Sequence, residues 1–216
     1  MKQILHFNDR ESWVDVRIDD VKHSYCVPQG IDNDVCVDVG GNVGAFSMVH
    51  YKDFKKIIAI EPATYSYNEY VKNMSKNGFD NVEVYQYAVS DVSNKILHLK
   101  PWLFGNESGN ASTIESEQWD ENIYEEVISI SLEDVFIKFN LFRINYLKID
   151  CEGSEYDFLM NKDLSKIDYI SIEIHNQLKE KAQELFHYLQ ERFDIIESHL
   201  SGRQKHLIGT FKNKIL

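Results

Sequence analysis

Positive charge is scarce in this chain. Its 216 residues carry 23 Lys and Arg against 35 Asp and Glu, a formal net charge of −12. A protein that grips nucleic acid needs a basic face to neutralise phosphates, so the balance argues against a nucleic-acid partner and, likewise, against an anionic membrane surface. The short basic run Arg203-Gln-Lys205-His206 reads as a solvated loop. Cysteine is nearly as sparse. Cys26, Cys36 and Cys151 are odd in number and lack C-x-x-C spacing, which argues against a disulfide framework and against structural zinc. Long apolar runs are absent, and Met1–Phe7 has no signal-peptide pattern, so the expected compartment is the cytoplasm. Hydrophobic residues still make up 43%, enough for the core of one large domain.

What is present is alternation of strand and helix patterns from residue 35 onward. Continuous apolar runs at Val35–Val39, Lys56–Ile60, Asn145–Ile149 and Asp168–Ile174 suit strands buried on both faces of a parallel sheet. Val82–Tyr87 reads as another strand, Lys95–Lys100 as an added antiparallel one, and Glu126–Ser131 as one more. Between them lie helical stretches at Val43–Asp53, Ala63–Asn77 (stopped by Gly78), Leu132–Phe139, Glu155–Met160 and Leu178–Arg192. Asp194–Ser198 and His206–Lys212 look like a closing antiparallel pair. Residues 1–34 read as a lead-in that covers a sheet edge or a site mouth, with the principal domain at 35–216. The polar stretch 101–122 is long enough to cap a site, and its Trp102 and Phe104, with Trp119, could stack on a sugar ring.

The most informative segment is Val35-Cys-Val-Asp-Val-Gly-Gly-Asn-Val-Gly-Ala-Phe46. A strand ends on an acid, Asp38; a turn with Gly40, Gly41 and Gly44 follows; then a helix begins. Such a turn lets a ligand approach bare backbone. The dinucleotide fingerprint would need a glycine at Val39, and no P-loop Lys-Ser/Thr follows. An acid beside the turn also disfavours pyrophosphate and suits a nucleoside with positive character, such as S-adenosylmethionine (SAM). A purely structural turn remains the alternative.

Three more constellations fall at expected strand ends. Glu61-Pro62 closes the second strand, where a carboxylate can accept from both ribose hydroxyls and Pro62 can open the next helix; a plain helix-dipole charge is the alternative. Lys148-Ile-Asp-Cys-Glu-Gly-Ser-Glu155 crowds Asp150, Glu152 and Glu155 around one turn, with Lys148 on the same strand face as Asp150. Helix capping plus a Lys–Asp pair is the alternative there. Glu173-Ile-His175 places an acid and an imidazole on one face.

Taken together, Val37-Asp-Val-Gly-Gly-Asn-Val-Gly44, Glu61-Pro62, Tyr87-Ala-Val-Ser-Asp91, Ser131-Leu-Glu-Asp134, Lys148–Glu155 and Glu173–His175 resemble, in order, the motifs of FkbM-type SAM-dependent methyltransferases. The resemblance spans roughly residues 35–176. Cys151 stands where a small aliphatic residue is usual in the family, and Glu133 where Asp is frequent. The resemblance implies an α/β, Rossmann-like class I methyltransferase: a seven-stranded, mostly parallel sheet with helices on both faces and an antiparallel last strand. It implies O-methylation of a hydroxyl on a sugar of a glycan or glycosylated small molecule, or on another natural product.

On this reading Asp38, Gly40, Gly41, Asn42, Gly44, Glu61 and Pro62 bind SAM, with Tyr87 and Ala88 bordering the adenine. Asp150 and His175 are the candidates for removing the hydroxyl proton, supported by Glu152, Glu173 and Lys148. Glu152 and Glu173 could instead hold a divalent cation, with Mg²⁺ suited to an oxygen-rich site. A non-catalytic SAM-binding domain is the competing class, and a nicotinamide-dependent oxidoreductase lacks its first glycine. The acceptor itself and the oligomeric state are not written in the chain.

Overall fold

The computed structural model describes residues 21, 24–99, 124–175, 179–201 and 206–215. Five β-strands run parallel at its centre: β1 (Val35–Val39), β2 (Lys56–Ile60), β3 (Val82–Tyr85), β7 (Ile144–Ile149) and β8 (Ile167–Ile174). They belong to a seven-stranded sheet of order β3-β2-β1-β7-β8-β10-β9. Here β9 is Phe193–Ser201 and β10 is His206–Asn213. β10 inserts antiparallel between β8 and β9, so six strands point one way and the chain's last strand alone points the other. A smaller sheet joins β4 (Ala88–Val89), β6 (Glu125–Ile130) and β5 (Ile96–Leu99), with β5 antiparallel to β6.

The apolar runs dictate this layering. All six residues of β7 are buried, as are four of five in β1 and in β2, because helices cover both sheet faces. Val37, Val39, Ile58, Ile60, Leu147 and Ile149 form one large cluster with Phe158, Leu185 and Leu189 from the helices. Cys36, Ile57 and Tyr146 belong to a second cluster with Phe46, Val21 and Tyr25. Tyr146 stacks on Phe46 and donates its hydroxyl hydrogen bond to the Cys26 carbonyl, 2.8 Å away, which ties the segment before β1 to the sheet.

Among the described residues after β1 the helices are α1 (Ala45–His50), α2 (Thr64–Asn77), α3 (Leu132–Lys138), α4 (Glu155–Leu159) and α5 (Lys179–Arg192). Gly78 ends α2 in the left-handed conformation, its N–H bonding the carbonyls of Met74 and Ser75. Ser131 caps α3 by accepting from the Asp134 N–H.

Several boundaries differ from the sequence pattern. The helix expected over Val43–Asp53 is trimmed to six residues, because Gly44 sits at φ 93 before it and the chain turns at Tyr51. The third strand breaks after Tyr85, and Ala88–Val89 pairs with β6 in the smaller sheet instead. Pro62 does not open α2: Ala63 is its cap and Thr64 its first residue. β9 is longer than the apolar pattern suggests, starting directly at the end of α5. The long loop with Trp102, Phe104 and Trp119, the stretch Arg203–Lys205 and residues 1–20 lie outside the described residues. Among the described residues no helix is long and apolar enough to cross a membrane.

Candidate functional site

The parallel strands place four turns at one edge of the sheet: Gly40–Gly44 after β1, Glu61–Ala63 after β2, Asp150–Ser154 after β7, and His175 after β8. Open α/β sheets bind ligands at this edge.

Beneath the edge lies a buried ion pair. Asp38 and Lys148 are register partners on β1 and β7, and both are essentially inaccessible. The Lys148 ammonium lies 3.2 Å from Asp38 Oδ1 and donates to the carbonyls of Gly40 (2.8 Å) and Val39 (3.3 Å). Asp38 Oδ2 accepts from the Tyr70 hydroxyl at 2.9 Å. Burial works to depress the Lys148 pKa, but the carboxylates around it, Asp38 first and then Asp150 and Glu61, together outweigh it and the pKa ends up raised, so the ammonium stays charged. The pair therefore pins the glycine turn from below. Asp38 and Lys148, expected on the ligand and beside Asp150 respectively, are directed to each other because parallel pairing sets them side by side.

Tyr70 also explains two of the glycines. A Cβ on Gly41 or Gly44 would lie 2.4–2.5 Å from the Tyr70 ring, so their bare faces are packed by the protein itself. Gly40 has φ 69, and a Cβ there would fall 1.7 Å from the Asp150 carbonyl oxygen. Only glycine lets β1's turn lie against β7's. Its N–H bonds the Ile60 carbonyl, tying the turn to β2 as well.

Above the turn a cleft of about 570 Å³, open solvent at its mouth included, is lined by Gly40, Asn42, Glu61, Pro62, Tyr87 and Ala88 on one side. Asp150, Cys151, Glu152 and Ser154 line the other. Glu61 sits at its base, 6% exposed, accepting from the N–H groups of Asn42 (2.8 Å) and Ala63 (3.0 Å). Burial pushes its pKa up to about 7, against the pull of those two hydrogen bonds.

The opposite wall is acidic and backed by an imidazole. His175 is buried, with Nδ1 2.8 Å from Glu155 Oε1 and Nε2 3.3 Å from Glu152 Oε2 and 3.9 Å from Asp150 Oδ1. Burial alone would lower its pKa; the hydrogen bond to Glu155 and the surrounding carboxylates lift it to about 10. Burial, with Asp150, Glu155 and Glu173 nearby, raises Glu152 to about 7 despite the opposing imidazolium. Glu173 and His206 approach His175 from β8 and the start of β10, the two rings 4.6 Å apart.

Of the sequence candidates, then, the cleft wall collects Gly40, Asn42, Glu61, Pro62, Tyr87, Ala88, Asp150 and Glu152. Asp38, Gly41, Gly44 and Lys148 support it from below, while His175 and Glu173 stand behind Glu152. Tyr25, like Tyr70 and His206, escaped sequence reasoning. The Tyr25 hydroxyl donates to Asp150 Oδ2 at 2.8 Å from a position 125 residues upstream. A lone tyrosine in an unpatterned segment carries no signal for that contact.

The strand order and the acid-rimmed cleft at the carboxyl edge define a Rossmann-like class I methyltransferase, a fold that uses SAM. Solved structures agree on the fold: M. capricolum TrmK in complex with S-adenosylhomocysteine (SAH) superposes with a TM-score of 0.55 at 14% identity, over 92% of this chain and 68% of that one. An rRNA methylase from Streptococcus thermophilus gives 0.53 at 12% identity, over 96% and 99%. The particular family follows from the sequence: the model of the methyltransferase FkbM domain matches residues 38–202, and the chain belongs to that family. Among curated relatives, Methyltransferase 1 of Beauveria bassiana (strain ARSEF 2860) is 27% identical over 155 residues, 64% of this chain and 62% of that protein. Methyltransferase sdnD of Sordaria araneosa is 26% identical over 173 residues, 65% of each. The match spans less than two thirds of the length of either relative.

Proposed function

We propose that this chain is an O-methyltransferase that delivers the methyl group of SAM to a hydroxyl of a sugar or sugar-bearing small molecule. One observation carries the reading: the same cleft presents a backbone-and-Glu61 wall on one side and a carboxylate wall, Asp150 and Glu152, on the other. The first suits a nucleoside, because Glu61 retains lone pairs for ribose hydroxyls after accepting its two backbone N–H bonds. The second suits a polyol, whose hydroxyls are hydrogen-bond donors.

SAM supplies an electrophilic methyl on a sulfonium. What remains for the protein is alignment and withdrawal of the acceptor proton. Of the two candidate bases, His175 at a pKa of about 10 already carries its proton at neutral pH. That leaves Asp150 as the acceptor of the hydroxyl proton, held in place by the Tyr25 hydroxyl and by the charge of the His175 imidazolium. Residues 35–216 are the catalytic domain in this reading. Residues 1–34 are a lead-in that reaches the site through Tyr25. The acidic balance of the chain favours a small-molecule or glycan acceptor over nucleic acid; an rRNA methylase shares the fold, but a fold does not carry its substrate.

The test is a screen of monosaccharide glycosides with methyl-labelled SAM. Label is expected on an acceptor oxygen, with Asp150→Asn binding SAH as the wild type does but transferring nothing. A variant that methylates at the wild-type rate would refute the assignment of Asp150, and label appearing only on nitrogen or on RNA would refute the acceptor class.

A further inference from the structure

We propose that Asp150, Glu152 and His175 hold a divalent transition-metal ion, of the Mn²⁺ or Zn²⁺ kind, at the acceptor edge of the cleft.

The spacing is that of a ligand set. His175 Nε2 is 3.3 Å from Glu152 Oε2 and 3.9 Å from Asp150 Oδ1, and one donor atom from each of the three residues lies within 4.8 Å of the others. Around an ion with bonds of about 2.1 Å, adjacent ligands stand about 3 Å apart and opposite ones about 4.2 Å. Small side-chain rotations bring all three donors onto one ion.

The imidazole is also oriented for the task. Its Nδ1 is held by Glu155, a buried carboxylate that itself accepts from the N–H groups of Cys151 (3.2 Å) and Gly153 (3.1 Å). Metal-bound histidines characteristically have their other nitrogen held in this way, which fixes the ring and keeps the free nitrogen on the metal. Here that leaves Nε2 facing Asp150 and Glu152.

Charge points the same way. Four carboxylates (Asp150, Glu152, Glu155 and Glu173) surround one imidazole, and Lys148 is already paired with Asp38. An ion bound at Nε2 takes the place of any proton there and brings two positive charges to the acidic wall. The nitrogen donor shifts the preference from Mg²⁺, which the oxygen-only reading of the sequence suggests, to a transition metal.

Glu173, His175 and His206 form a second group around the same ring. Because Glu155 occupies Nδ1, only Nε2 remains, and it serves one ion. Asp150 and Glu152 line the cleft, so the ion belongs with them. Its use in lowering the pKa of an acceptor hydroxyl rests on the O-methyl-transfer reading; its binding does not.

The experiment uses the full chain, stripped with a chelator and desalted, titrated with Mn²⁺ by EPR of the free ion and with Zn²⁺ by calorimetry. One ion per chain is expected. Asp150→Asn and Glu152→Gln should each weaken binding at least about tenfold, the scale seen when metal-site residues are altered, and His206→Ala should leave it unchanged. SAH titration of each variant reports that the fold and the cofactor side are intact. The proposal is overturned if the wild type binds neither ion at about millimolar concentration, if both carboxylate variants keep wild-type affinity, or if the loss is confined to His206→Ala. Failure of the wild type to bind SAH would count against the methyl-transfer reading, whatever the metal titration gives.

Discussion

Glu61 makes SAH affinity a pH measurement. Its carboxyl is buried and has a pKa of about 7 in the free protein. Ribose hydroxyls donating to the ionised carboxylate would return that pKa toward the ordinary carboxylate value of about 4.3. Binding then releases a proton wherever the free protein holds one. With those two values, affinity at about pH 6 is roughly tenfold weaker than at about pH 8, a difference of about 1.4 kcal/mol. Stability of the unliganded protein runs oppositely. The folded pKa is raised, so this group's contribution is fully present below the unfolded value of about 4.5 and is lost as pH rises through about 7. The rise in melting temperature caused by SAH should therefore grow across the same window. In Glu61→Gln the titration disappears. The amide also turns an NH₂ toward the N–H of Asn42 or Ala63, leaving a donor unsatisfied at a cost of about 1–3 kcal/mol. Calorimetry with SAH between about pH 5.5 and pH 8 measures both effects. A wild-type affinity that stays flat across that range, or a Gln variant that keeps the slope, would refute the placement of Glu61 on the nucleoside.

Two further predictions concern the ground on which the site stands. Lys148→Met leaves the Asp38 charge buried without its partner and should cost about 3–5 kcal/mol in chemical denaturation, much of it recovered in Asp38→Asn/Lys148→Met; a loss of less than about 1 kcal/mol would mean that the pair is not structural. Gly40→Ala drives a Cβ into the Asp150 carbonyl and should cost at least about 3 kcal/mol, whereas Gly78→Ala, with a similar φ but open space around it, should cost about 1 kcal/mol. Equal melting temperatures for the two variants would show that the turn yields without penalty.

Much of the fold was readable along the chain because its causes are local. Apolar runs such as Val35–Val39 and Asn145–Ile149 are best satisfied in the middle of a covered sheet, and Gly78 stops the helix that arrives at it. The candidate site was readable to the same depth. Carboxylates and glycines at strand ends collect at one edge once the strands are parallel, so Gly40, Asn42, Glu61, Asp150 and Glu152 converge as their positions imply.

Only the folded chain assigned partners. Whether Lys148 meets Asp150 or Asp38 depends on which strand lies beside β7, and β1 is more than a hundred residues away in sequence. Whether a glycine's bare face meets a ligand or a ring depended on Tyr70 arriving from α2. Tyr25 reaches Asp150, and His206 reaches His175, through contacts that leave no periodicity behind. Local pattern decides what each segment becomes, because burial acts residue by residue. The protonation of His175 and the pairing of Lys148 are set by distances across the sheet, and those exist only after it has formed.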